Sequence, residues 1–205
     1  MPSIYDLKPK FQSLLRPITN GLASAGVTAN MVTVAAMVLS FATGAAILYF
    51  RELRILWLLP LVLFVRMALN AIDGMLAREH NQKTSRGAIL NELGDVLSDA
   101  ALYLPLAMIP PFDSRLIVLI IICAILTEMT GVVGVQIGAS RRYDGPMGKS
   151  DRAFIFGASG LLLALQVPIL PVITPVLWVV LILLLLTILN RSRAALRELK
   201  SRDSS

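Results

Sequence analysis

One cysteine, one histidine and few charges close off several common chemistries. Cys123, alone and set in an apolar run, cannot form a disulfide within the chain and is read as packing. His80 lies in a polar stretch and is read as an exposed loop residue, so no Cys/His cluster is available for zinc. Charged residues make up 16% of the 205 positions, sparse for the surface of a water-soluble domain. The N-terminal segment lacks a compact apolar core ending in a small-residue cleavage site, so no cleavable signal peptide is expected. No internal repeat, low-complexity block or second domain stands out.

Apolar residues are what the chain has in quantity: 56% of positions, with a mean hydropathy of +0.74. Several runs approach the roughly 20 residues that cross a bilayer. The expected fold is an all-α integral membrane protein of one domain, with six transmembrane helices near 31–50, 55–77, 88–109, 115–139, 153–170 and 174–190. Ahead of them, in a juxtamembrane segment (1–26), Ile4, Leu7, Phe11, Leu14, Leu15, Ile18 and Leu22 recur at helical spacing, the pattern of an amphipathic interfacial helix. A basic tail (191–205) follows them. Six spans place both termini on one side, which collects nearly all the lysine and arginine. Arg51, Arg54 and Arg115 are left on the other side, so the basic side is expected to be cytoplasmic. The formal charge of +6 is then loop charge of a membrane protein, not the footprint of a nucleic-acid partner. The tail from Arg191 to Lys200 is read as a lipid-headgroup contact, Trp57 and Trp178 as interfacial anchors, and Pro168, Pro171 and Pro175 as shaping the turn before the last span.

Against this apolar background, polar side chains inside spans mark function, because ionisable groups in hydrocarbon are costly and turn toward a bundle interior or a wet cavity. At about 100° per residue, Arg66, Asn70, Asp73 and Ala77 share one face of the second span. Asn91, Glu92, Asp95 and Asp99 share a face of the third. Consecutive antiparallel spans accommodate two such faces best by turning them toward each other, around a cavity that opens to the cytoplasm. Oxygen ligands of this kind suit Mg²⁺ or Mn²⁺. Gly74, Ala77 and Gly87 suggest close helix packing by themselves; in register with Asp73, Arg78 and Asp95 they make room for a nucleotide. Lys149 and Arg152 lead into the fifth span and are candidates for an acceptor or lipid phosphate, with Gly145 and Gly148 letting their loop turn over the cavity. Arg66 is expected to pair with Asp99 or Glu128.

The run from Asn70 to Asp95 resembles the signature of the CDP-alcohol phosphotransferase (CDP-alcohol phosphatidyltransferase) family, Asp-x2-Asp-Gly-x2-Ala-Arg-x8-Gly-x3-Asp-x3-Asp. Asp73, Gly74, Ala77, Arg78, Gly87 and Asp95 match in identity and spacing, and Asn70 and Asn91 stand at the first and third aspartate positions. The segment from Val27 to Thr33 is also similar to the family's entry into its first span. The resemblance implies transfer of a phosphatidyl group from a CDP-linked lipid such as CDP-diacylglycerol to a small alcohol, with release of CMP, by a membrane homodimer using Mg²⁺ or Mn²⁺. It assigns Asp95 as base, Asn70, Asp73, Asn91 and Asp95 as ligands of a metal pair, and Gly74, Ala77, Arg78 and Gly87 to the nucleotide. The two asparagines leave that site two negative charges short. It then binds one metal, or it recruits Glu92 and Asp99 to restore charge, or the chain is a non-catalytic nucleotide-lipid or metal-binding protein. An ion or proton transporter would use the carboxylates but gives the Gly/Ala/Arg spacing no role.

Overall fold

A computed structural model describes the backbone over residues 4–203 and side chains over 9–202; the Ile4 and Leu7 side chains of the amphipathic pattern lie outside the described residues. All regular structure within that range is helical: α1 (Ile4–Ser24), α2 (Ala29–Phe50), α3 (Leu58–Glu79), α4 (Ser85–Tyr103), α5 (Ser114–Gln136), α6 (Lys149–Ala164) and α7 (Leu170–Asp203), with 3₁₀ turns at Leu53–Trp57 and Leu104–Met108. Each of the six helices after α1 overlaps one of the expected spans, with different ends for α4, α6 and α7. Four segments are long and apolar enough to cross a membrane: Ala29–Phe50, Leu53–Glu79, Ser114–Gln136 and Leu170–Arg202. The other two differ for physical reasons. The α4 helix carries Asn91, Glu92, Asp95 and Asp99, and α6 has 16 residues, about 24 Å of rise, short of a full hydrocarbon core.

Local chemistry sets the boundaries. Thr28 caps α2 by accepting from the Met31 N–H at 3.2 Å, Thr84 caps α4 through the Gly87 N–H at 2.9 Å, and Asp113 caps α5 through Arg115 and Leu116. The α6 helix ends sooner than expected, at Ala164, with Gln166 in the left-handed region (φ 58°) just before Pro168. The last helix accordingly begins at Leu170. Pro171 lies in its first turn and Pro175 inside it, so of the three prolines only Pro168 belongs to the turn. The basic tail is no separate element: α7 runs unbroken for 34 residues.

A principal core joins α2, α3, α4, α5, α6 and α7, with Ile47, Leu59, Leu102, Ile117, Phe156 and Leu184 at its centre. Within it Tyr103 stacks on Phe156 with ring centroids 4.5 Å apart. A smaller cluster of Leu15, Val32, Ile72, Met75 and Leu76 seats α1 against α2 and α3. Arg16 adds a two-pronged pair to Glu79 at 3.0 and 3.1 Å, exposed enough to contribute little stability. Outward, α2, α3, α5 and α7 present large apolar side chains such as Phe41, Phe64, Ile122 and Leu186, as a lipid-facing surface requires. Trp57 and Trp178 are both about half exposed.

The α2 and α4 helices approach closely because Gly44 has no side chain. A Cβ there would stand 2.0 Å from the Ala101 carbonyl oxygen. Gly44→Leu is expected to force these helices apart and cost about 1–3 kcal/mol or more. A melting temperature in detergent within a degree of the parent protein would show that the contact is not needed.

Candidate active site at the junction of two cavities

The α3 and α4 helices turn their polar faces toward each other, and two cavities meet there. One, of about 720 Å³, is lined by Asn70, Asp73, Gly74, Ala77, Arg78 and Gly87, together with Asn30 and Thr33 from α2. The other, of about 300 Å³, is lined by Asp95, Asp99, Glu128, Lys149, Arg152 and Arg191 among others. Asn91 lines both. The residues expected at the nucleotide therefore gather in the larger cavity, Asp95 and Lys149 in the smaller, and the boundary falls between the two aspartates.

The larger cavity owes its room to small residues. A Cβ on Gly87 would stand 2.8 Å from Asn30 Oδ1, and one on Gly74 would press the Arg78 guanidinium at 3.2 Å. Arg78 itself is exposed at the rim. Asp73 is buried, and its Oδ2 accepts from the Thr33 hydroxyl at 2.9 Å. That hydroxyl contact is legible only in the fold; in the sequence Thr33 is one more polar residue near the start of a span.

Asp95 is held on one side. Lys149 Nζ pairs with Oδ1, Asn70 Nδ2 donates to the same oxygen at 3.3 Å, and Arg66 stands 3.8 Å from it while also donating to the Asp95 backbone carbonyl. No described group donates to Oδ2, so Asp95 presents one anchored and one open carboxylate oxygen. Lys149 reaches it from the first turn of α6. The start of that helix is fixed by Asp151, whose Oδ2 accepts from the Gly148 N–H at 2.8 Å.

Beneath Asp95 lies a chain of buried ion pairs. Arg66 binds Asp99 Oδ1 at 2.7 Å and Arg152 binds Asp99 Oδ2 at 2.9 Å. The expected pairing of Arg66 thus goes to Asp99. Glu128 instead faces Arg141, Arg152 and Arg191, at 3.3, 3.4 and 3.3 Å. Arg141 also forms a fork with Glu92, 3.0 and 2.9 Å, passing over Gly131, where a Cβ would collide with its guanidinium. These pairings revise three expectations. Asp99 and Glu92, candidates for supplying a cation with extra charge, are engaged by guanidinium groups. Arg152 is buried and committed to Asp99 and Glu128, not open to solvent. Arg191, read as a headgroup contact, is buried and also donates to the Thr127 and Asp144 carbonyls.

The loop over residues 137–148 closes the smaller cavity. Gly145 makes this possible through a positive φ of 123° and by lying where a Cβ would stand 2.6 Å from Thr187. Beside it the Met147 N–H donates to Thr187 Oγ1 at 3.0 Å. Gly148, with an ordinary φ of −88°, serves as the α6 cap. Hydrogen bonds from Arg142 hold the Asp144 carboxyl below its usual range.

The oxygen donors of Asn70, Asp73 and Asn91, which line one cavity, are of the kind a hard divalent cation takes. Among the described residues no three acidic, Cys or His side chains gather as a metal site. Of the four motif positions only Asp73 and Asp95 carry charge, and Asp95 already faces an ammonium and a guanidinium. Asp73 with the amide oxygens of Asn70 and Asn91 is the set left for a cation.

Residues 26–190 match the family model for CDP-alcohol phosphatidyltransferases, and the chain belongs to that family. It is 50% identical over 195 residues to "Inner membrane protein YnbA" of Escherichia coli (strain K12), covering 95% of this chain and 96% of that one. It is 36% identical over 94 residues to an uncharacterised protein of Aquifex aeolicus (strain VF5), 46% of each chain. Its fold is that of Mycobacterium tuberculosis phosphatidylinositol phosphate synthase PgsA1. With CDP-DAG bound, that structure superposes at a TM-score of 0.73 and 20% identity, covering 87% of this chain and 92% of that one. With manganese and citrate the TM-score is 0.74 at 21% identity, covering 87% of each chain.

Proposed function

We propose that the protein transfers a phosphatidyl group from a CDP-diacylglycerol-like donor to a small alcohol and releases CMP. The observation that carries this reading is Asp95, anchored through Oδ1 and open at Oδ2, in a small polar cavity that meets a nucleotide-sized one at Asn91. The cytidine diphosphate occupies the larger cavity, where Gly74, Ala77 and Gly87 let it approach the helices and Arg78 meets its phosphates from the rim. The acceptor enters the smaller cavity. Its hydroxyl oxygen bonds to the β-phosphorus and the phosphoanhydride bond to CMP breaks. CMP leaves with the bonding pair, and the hydroxyl proton passes to Asp95 Oδ2. A divalent cation on Asp73, Asn70 and Asn91 supplies charge neutralisation to the diphosphate when bound. Lys149 orients Asp95 and faces the arriving lipid phosphate, and Arg152 positions the site from below through Asp99.

The lipid-facing surface of α2, α3, α5 and α7 suits a donor that stays in the bilayer while its headgroup enters the cavity. The excess of lysine and arginine at the site's end of the bundle supports a cytoplasmic orientation of site and termini, in an inner membrane. The test is CMP release by the purified protein from CDP-diacylglycerol with Mg²⁺ or Mn²⁺ across a panel of sugar, amino and phosphorylated alcohols. Release that depends on an acceptor is expected. Cytidine-nucleotide binding without release under any acceptor would replace this reading with that of a binding protein.

A further inference from the structure

We infer that the site works with one divalent cation and that the Lys149 ammonium supplies, as a fixed part of the chain, the positive charge a second cation would bring. The inference deepens the proposed transferase reading and rests on it for its meaning, though its test does not.

Three observations converge. First, two of the four motif positions are the amides Asn70 and Asn91, so the cluster carries two carboxylates in all. Second, one of the two is neutralised from within: Lys149 Nζ pairs with Asp95 Oδ1, and Arg66 stands 3.8 Å from the same oxygen. Third, Asn70 turns its amide hydrogens, not its carbonyl, toward Asp95. Every group around Oδ1 is thus a hydrogen-bond donor, an arrangement that receives an anion and repels a metal ion. An ion beside Asp95 would lie against an ammonium and a guanidinium with a single carboxylate for compensation, an arrangement that Coulomb repulsion disfavours. Around Asp73 the surroundings are opposite in kind. Its described side-chain partner is the Thr33 hydroxyl, and Asn70 and Asn91, which line the same cavity, have amide oxygens to offer a cation placed there.

The lysine is built in rather than wandering. It is the first residue of α6, its backbone position is fixed by the Gly148–Asp151 cap, and the turn after it carries Arg152, locked between Asp99 and Glu128. The loss of two negative charges and the seating of one positive charge thus belong to one electrostatic design: fewer anions, fewer mobile cations, and one charge held covalently.

The experiment is manganese stoichiometry. Chelator-stripped protein in detergent is equilibrated with Mn²⁺, bound metal per chain is counted by elemental analysis, and the electron paramagnetic resonance spectrum is recorded. One ion per chain with the spectrum of an isolated Mn²⁺ is expected. Two ions with an exchange-coupled spectrum, or none, would overturn the inference. The variant series assigns the charge to the lysine. Asn70→Asp with Asn91→Asp is expected to hold one ion while Lys149 stays, and two coupled ions once Lys149→Met is added. Two ions in the double variant would show that the lysine is not the substitute. Parent-protein stoichiometry stands even if a variant misfolds. Absence of CMP release with one bound ion would remove the transferase reading and leave this one intact.

Discussion

Replacing Glu128 with leucine is expected to cost about 3–5 kcal/mol, the usual result of leaving a buried charge without its counter-ion. The three guanidinium groups around Glu128 are not equally exposed to this loss. Arg141 keeps Glu92 and Arg152 keeps Asp99, whereas Arg191 is left with the Thr127 and Asp144 carbonyls. The cost should therefore fall mainly on Arg191, which is 2% exposed. A drop in melting temperature on the order of 10 °C corresponds to that cost in a chain of this length. Glu128→Leu with Arg191→Leu should be less destabilising than the sum of the two single changes, because the pair disappears together. Additive effects, or a Glu128→Leu protein that melts with the parent, would mean that the Glu128–Arg191 pair does not hold α5 to α7.

Asp95→Asn is expected to slow acceptor-dependent CMP release by about 10²- to 10⁴-fold, the range lost when a positioned general base is removed. An amide cannot take the hydroxyl proton at the open position, although it keeps the side chain's shape. Asp95 lines the smaller cavity and not the larger one, so the affinity for CMP should change little. That split separates a base from a residue that shapes the nucleotide site. A variant retaining a tenth or more of the parent rate would move the base elsewhere, and one that loses CMP binding equally would make Asp95 a nucleotide contact. Asp73→Asn should behave differently, weakening Mn²⁺ and nucleotide together, because Asp73 holds the only motif carboxylate in the larger cavity.

The fold was legible where local composition decides it. Apolar runs placed α2, α3, α5 and α7, and helical periodicity brought Asn70 and Asp73 to face Asn91 and Asp95 across α3 and α4. The charged partners were harder to read. Arg191 looks in sequence like the first residue of a basic tail, and only the docking of α7 on α5 turns it inward to Glu128. The reach of Arg141 to Glu92 depends on Gly131 leaving a path, and the seat of Lys149 on Asp95 depends on where α6 begins. Helical spacing says which side chains share a face. It does not say which long, flexible side chain from a distant loop will arrive there. The contact of Thr33 with Asp73 was hidden for a related reason: a single hydroxyl one turn into a helix names no partner until Asp73 is placed beside it.

The unbroken length of α7 has a consequence for depth. From Leu170 to Arg191 the helix rises about 32 Å, close to the thickness of a hydrocarbon layer, and its remaining residues extend about 18 Å further. Arg191 thus stands about one hydrocarbon thickness along the helix from Leu170, and through Glu128 and Arg152 it is linked to Asp99. The helix works as a ruler. A thinner or thicker bilayer would be met by tilting this rod, and the ion pairs tied to Arg191 would tilt with it.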